Sequence, residues 1–414
     1  RGENRCSGMP LFHHLSIALT SAAVLFSIVN LRFGTAVLYH LSDEEDNQHF
    51  SAMRSAPSPH GSKAIQSRTN RGIPRREAGA INLQYDNLEP IPRPPLRSIV
   101  QGWNITSDPS WLLQFSITGF PKCGTSTLMH HLQSHPEIHI FKDERCELGF
   151  NQHVRLTEHL YDKIPASSKE QRFIRGIKCP VDLENTKLSM RNYRKVFPKT
   201  DFIVGIRHPV LWFESFYNFR VHNEFDMPPA ENLIGKCRKG SWNVCTFRSN
   251  FHIFLSNLGK TDMTTKEERS YIDADLHNSL DPIATDRRVF LYEVSQLSDP
   301  DPSRAEALRR DLQHFLHLKE PIEPFIWFKP GRNHTDNTDL DKLNSKTIDI
   351  CEARYEELRA VLMQRAVQVS QWSRQYFLHA DDVVVSSKEY LANTILKSWE
   401  NDPCIERQKA VRTG

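Results

Sequence analysis

Beyond Trp111 the chain alternates between short β-rich runs and helix-length stretches, and this alternation restricts its fold more than any other feature. The runs are LLQFSITGF (112–120), RFIRGIK (172–178), DFIVGIR (201–207) and RRVFLYEV (287–294), rich in the branched and aromatic residues that suit a pleated surface. Between them lie LMHHLQSH, VLWFESFYNFRVH and SRAEALRRDLQHFLHL, which read as helices. Strands that alternate with helices pair in parallel, because each parallel neighbour needs a crossover connection. The expected architecture is therefore an α/β domain with a central parallel β-sheet flanked by helices. Two more helical stretches are expected in the tail, over IDICEARYEELRAVLMQRAVQVSQWSRQYF and SKEYLANTILKSWE. No internal repeat interrupts the pattern.

The amino-terminal quarter reads differently. Leu11–Leu31 contains no Asp, Glu, Lys or Arg and has about the 20 residues a helix needs to cross the hydrocarbon core. It is read as a membrane span in preference to a cleaved signal peptide, whose apolar part is shorter and ends at an A-x-A-like site. Arg1 and Arg5 precede it and the acidic SDEED (42–46) follows, which favours a cytosolic amino end and type II orientation. From 32 to 110 the composition shifts to Pro, Ser, Arg and Asn, as in SAPSPHGS and EPIPRPPLRS, and the segment is expected to be a disordered stem. The basic RTNRGIPRR within it reads as solvated linker. The expected organisation is a cytosolic tail at 1–10, incomplete at Arg1, an anchor at 11–31, a stem at 32–110, a catalytic domain at 111–405 and a tail at 406–414.

Charge and cysteine usage exclude some function classes. With 53 basic and 50 acidic residues the net charge is +3, so the polycationic signature of nonspecific nucleic-acid binding is missing and any anion recognition is local. The eight cysteines fit a lumenal compartment, and Cys237 and Cys245 are close enough to close a small loop. There is no C-x-x-C pair and no H-E-x-x-H, which argues against a metal site. Sequons at Asn104 and Asn333 agree with a lumenal glycoprotein.

The chemistry concentrates in GFPKCGTST, between the first strand and a helix that starts at Thr125 and ends near Pro136. Gly119 and Gly124 let the backbone bend and approach an anion, and the free amides of the first helical turn point at it. Thr125, Ser126 and Thr127 add hydroxyls. A nucleoside-triphosphate P-loop, G-x-x-x-x-G-K-[ST], places lysine directly after the second glycine. Here Thr125 holds that position and the lysine is Lys122, inside the loop, which disfavours a kinase. Further along, Arg207 follows a strand, Pro209 suits a first helical turn, and Ser215 stands two turns on, so Arg207 and Ser215 can converge on one phosphate.

These stretches resemble the sulfotransferases that use 3′-phosphoadenosine 5′-phosphosulfate (PAPS). GFPKCGTSTL is similar to the family's 5′-phosphosulfate loop, and GIRHPVLWFESFYN to its 3′-phosphate motif. VFLYEVSQL and DLQHFLHL resemble the late strand and the helix after it, and FKPGRNHT the basic loop over the adenosine. The resemblance spans roughly Trp111 to Thr335. It implies a P-loop-like fold and donor contacts from Lys122, Cys123, Gly124, Thr125, Ser126, Thr127, Arg207, Ser215, Lys329, Gly331 and Arg332, with Lys122 also catalytic and no metal required. It further implies a Golgi membrane enzyme of type II that sulfates a carbohydrate. Heparan sulfate 3-O-sulfotransferases align best, and their catalytic glutamate falls on Glu144, with His135 and Pro136 matched between. Asp143 and Glu147 compete with it, because CEL replaces the family's aromatic pair, and histidine is the base in cytosolic relatives. Lys178, in GIKCPVD, matches a lysine beside the acceptor. Lys187, Arg191 and Lys195 form a row that reads as a solvated face. The rival readings are a P-loop kinase and a noncatalytic, membrane-anchored glycan-binding protein.

Overall fold

The computed structural model describes residues 93–163, 173–184, 186–261, 287–326, 346–405 and 407. A two-residue-a-side hairpin, β1 (Val100–Gln101) and β2 (Asn104–Ile105), precedes the main sheet. That sheet contains β3 (Phe115–Gly119), β4 (Ile138–Ile140), β5 (Ile174–Lys178), β6 (Asp201–Ile206), β7 (Val289–Glu293) and β8 (Val383–Val385). Its order is β4-β5-β3-β6-β7-β8, and every neighbouring pair is parallel. β3 and β7 are buried at every position, as strands covered on both faces must be.

The period-2 alternation of these strands supplies two cores. On one face Phe115, Ile117, Ile203, Phe290 and Tyr292 meet Leu128 and Leu132 of α1 (Thr125–Ser134) and Leu308, Leu312 and Phe315 of a later helix, Pro302–Phe315. On the other, Phe202, Val204, Val289 and Leu291 pack under four helices. These are α2 (His153–Asp162), α3 (Thr186–Val196), α4 (Pro209–His222) and a twenty-residue helix, Glu356–Gln375. With α5 (Phe251–Ser256), the two later helices are α6 and α7 in chain order.

Two strands go beyond the sequence reading. β4 (IHI) and β8 (VVV) are three residues each, too short to show alternation, and they form because β5 and β7 offer them parallel partners. The expected tail helix also begins late. Asp349 Oδ1 accepts from the backbone N–H of Cys351, and Cys351 is bonded to Cys404, so the chain turns there and α7 starts only at Glu356.

The expectation of a membrane-spanning helix leading into this fold is corrected: no helix of the described residues is long and apolar enough to cross a membrane. The longest, α7, has the length, but its sequence mixes Glu, Arg and Gln with the apolar residues. The stretch Leu11–Leu31 lies outside the described residues, as does the stem up to position 92.

Candidate functional site

From β3 the chain crosses by α1 to β4 at one edge, whereas from β6 it leaves by α4 toward β7 on the other side. α1 packs on one face of the sheet and α4 on the other. The carboxyl ends of β3 and β6 therefore flank the point where the strand order reverses, which is where open α/β sheets form their ligand crevice. Lys122 follows β3, Lys178 ends β5 and Arg207 follows β6.

The loop after β3 is bent by two left-handed residues, Lys122 at φ 66° and Gly124 at φ 79°. At Gly124 the positive φ strains any other residue, and a Cβ there would lie 2.5 Å from Leu297 Cδ1, which would have to move. Lys122 adopts this conformation at a cost of about 1 kcal/mol, so its neighbours must hold it. Trp212 Nε1 donates to the carbonyl of Pro121 at 2.8 Å, and Arg207 Nη1 donates to the carbonyl of Lys122 at 3.4 Å. Cys123 is fully buried, and burial pushes its thiol well above the usual range, so it offers the crevice its backbone and not a thiolate. No side chain caps the start of α1 at Gly124, which leaves its first amides to an outside acceptor.

Lys178 ties this loop to a carboxylate. Its Nζ donates to Ser126 Oγ at 2.9 Å and lies 2.8 Å from Glu144 Oε1. The Lys178 side chain is 4% exposed and that of Glu144 47%, so the carboxylate faces solvent from a buried ammonium. The competing acids stand elsewhere. Asp143 is exposed, and Glu147 is buried 3.4 Å from Arg145 Nη1 and 3.6 Å from His159 Nδ1. His135 accepts at Nδ1 from the N–H of Glu137 and meets the Glu320 carbonyl through Nε2, which makes it part of the turn after α1.

The electrostatics are those of a site short of negative charge. Lys122 is lowered from 10.5 to about 8, first by burial and then by Arg207 and Lys178. Burial also lowers Arg207, and it brings Arg220 down to about 10 with help from Arg248. Such a cluster favours any anion that relieves its mutual repulsion. His208, next to Arg207, is brought to about 4 by burial; as a neutral ring its Nδ1 accepts from the N–H of Val210 and caps α4. Ser215 is half-buried on the second turn of α4. Glu293, at the end of β7, is buried with its carboxyl raised by that burial and accepts from the N–H of Ser295.

Several residues escaped the sequence reading. Lys122 Nζ sits 4.0 Å from the ring centroid of Phe219, and the Arg220 guanidinium lies over Phe216 at 5.1 Å and Phe225 at 5.0 Å. Arg248 lies over the same Phe216 ring and pairs with Glu184. The one signal available was Arg220 itself, the only Lys or Arg of the helix PVLWFESFYNFRVH. A disulfide joins Cys146 to Cys179, and another closes the Cys237–Cys245 loop.

Lys329, Gly331 and Arg332 lie outside the described residues, as does the sequon at Asn333. The described chain on either side is held by α1 and α4: His131 contacts Ile326, Asn218 contacts Ile348, and Glu214 accepts from the N–H of Ile350. The side chain of Lys187 is likewise outside, whereas Arg191 and Lys195 are exposed. Among the described residues no group of three or more His, Cys, Asp or Glu could hold a metal ion.

No family model matches the sequence, and no curated protein matches it. Among solved structures, a sulfotransferase from Alicyclobacillus acidocaldarius is similar over 70% of this chain and 99% of that chain, at 15% identity and a TM-score of 0.39. A score of that size carries no functional argument, and the geometry of the crevice stands on its own.

Proposed function

We propose that the chain transfers a sulfuryl group from PAPS to a hydroxyl of a carbohydrate acceptor. The observation that carries this reading is the position of Lys178, whose ammonium touches Ser126 at the start of α1 and the carboxylate of Glu144 at once. One cation thus couples an anion cradle to a solvent-facing base. The donor is a polyanion, and the crevice offers it an uncapped helix start, three successive hydroxyl residues, and buried Lys178 with half-buried Lys122 and Arg207 from three adjacent strand ends.

Each residue then has a role. The amides and hydroxyls of Thr125, Ser126 and Thr127 hold the 5′-phosphosulfate end, and Arg207 with Ser215 holds the 3′-phosphate. Glu144 takes the proton of the acceptor hydroxyl as its oxygen bonds to sulfur. The bond from sulfur to the bridging oxygen breaks with its electron pair left on the nucleotide phosphate, and Lys122 neutralises the charge that develops there. Lys178 keeps Glu144 in register with the loop. A lysine inside the loop approaches a different donor atom from one placed after the second glycine, which is why a sulfuryl donor is favoured over ATP.

The three disulfides among the described residues support a place in an oxidising compartment, which we take to be the lumen of the secretory route. Asn104 is exposed on β2 and available to a glycan there. Incubating the full chain with sulfur-labelled PAPS and a panel of neutral and acidic glycans tests the proposal. Transfer is expected, with Lys122→Met losing at least about 10²-fold and Glu144→Gln about 10²- to 10⁴-fold. Absence of binding to 3′,5′-ADP would refute the donor assignment; donor binding without transfer to any glycan would leave a binding protein.

A further inference from the structure

We infer that the Cys146–Cys179 disulfide is a positioning device for the Glu144–Lys178 pair, beyond any part it plays in stability. The inference rests on the transfer reading above only in calling that pair catalytic. Two segments run side by side here and are linked three times in succession. Lys178 Nζ meets Glu144 Oε1 at 2.8 Å, the N–H of Arg145 donates to the carbonyl of Lys178 at 2.8 Å, and Cys146 is bonded to Cys179 with a Cα–Cα distance of 5.1 Å.

The two segments differ in how firmly the fold holds them. Lys178 is the last residue of β5, and the N–H of Cys179 donates to the carbonyl of Ile117 on the central strand β3 at 3.0 Å. Beyond it, Asp182 is buried and accepts from Ser189 Oγ at 3.0 Å and from the Tyr193 hydroxyl at 2.9 Å. Glu144, by contrast, belongs to the irregular stretch that follows β4 and has no ladder of its own. Its ion pair has one exposed partner, and such pairs hold a loop only weakly. The covalent bond two residues on is what fixes the carboxylate-bearing loop to the centre of the sheet. On its far side Glu147 lies 3.4 Å from Arg145 of the same loop and 3.6 Å from His159 of α2.

The other disulfides supply the control, because Cys237–Cys245 closes a loop of its own and Cys351–Cys404 ties the tail. In the full chain, the Cys146→Ser/Cys179→Ser pair is compared with Cys237→Ser/Cys245→Ser by acetic anhydride labelling and mass spectrometry. The first pair is expected to speed acetylation of Lys178 by about ten-fold or more while Lys122 stays within about two-fold, because only the loop over Lys178 opens. The control pair is expected to change neither. Where transfer is measured, Glu144→Gln is expected to lose less activity without the bond than with it, which a merely stabilising bond would not produce.

Equal labelling of Lys178 in both pairs, or equal acceleration of Lys122 and Lys178, overturns the inference. If the serine pair does not fold, Cys146→Ala/Cys179→Ala, which buries no new hydroxyl, takes its place. Loss of fold in both also overturns it, since the bond is then a requirement of the fold. The labelling needs no donor, so this failure is distinct from failure to bind 3′,5′-ADP.

Discussion

Replacing Lys122 by Met removes the charge of the loop while keeping its length and left-handed backbone, and it is expected to stabilise the protein as it abolishes transfer. The Lys122 ammonium is lowered from 10.5 to about 8, so at pH 7 it remains protonated at a cost to the fold of about 3 kcal/mol. Its contact with the face of Phe219 returns about 1 kcal/mol of this, leaving a net gain of about 2 kcal/mol for the methionine. For a domain of this size that raises Tm by roughly 4 °C. The sign follows from proton counts. Below pH 8 both states carry the proton and the penalty is whole; between pH 8 and 10.5 the folded state loses it first, and the penalty fades. The Tm difference between Lys122→Met and the parent is therefore largest at neutral pH and closes toward pH 10.5. Scanning calorimetry across pH 6 to about 10 measures it, and titration calorimetry with 3′,5′-ADP is expected to show affinity weakened about 10- to 100-fold. A methionine variant that is less stable at pH 7, or a gap that does not narrow as pH rises, refutes the reasoning.

Three further outcomes are expected. Gly205→Ala would place a Cβ 2.7 Å from the carbonyl of Cys123 and 2.5 Å from Tyr292 Cζ, so it should cost about 1–3 kcal/mol in chemical denaturation and weaken 3′,5′-ADP binding by shifting the loop. Glu184→Ala leaves the Arg248 guanidinium without its carboxylate at a site where both side chains are about 10% exposed; denaturation should show a loss of about 3–5 kcal/mol, and less when Arg248→Met accompanies it. Asp182 is raised from 3.8 to about 7 by burial, so its contribution to stability is whole below pH 3.8 and is lost as pH rises through 7; that slope in Tm against pH should vanish in Asp182→Asn.

The sheet and the turn after β3 were legible because their signals are local. β3, β5, β6 and β7 each carry enough branched and aromatic residues to read as strands, and the start of α1 is marked by Gly124 and the hydroxyl run after it. Three-residue β4 and β8 carry no such signal, since nothing in IHI or VVV marks them as paired until β5 and β7 present an edge. Counting from Lys122 pointed to Glu144 but could not separate it from Asp143 and Glu147. Their surroundings, which counting could not show, differ: Glu144 meets Lys178, Glu147 is enclosed with Arg145 and His159, and Asp143 faces solvent.

The sequence alone determined the period of each element, the spacing of Gly119, Lys122 and Gly124, and hence an α/β chain with a glycine-flanked turn between its first strand and helix. Those are properties of a few consecutive residues, governed by side-chain periodicity and backbone freedom. Only the tertiary structure decided which distant cations share that turn, because Lys178, Arg207 and Arg220 reach it from strand ends and a helix whose neighbours are set by the order of the sheet. It also decided that Cys146 meets Cys179 across 33 residues, a pairing no spacing rule selects, and with it the place of Glu144 beside Lys178.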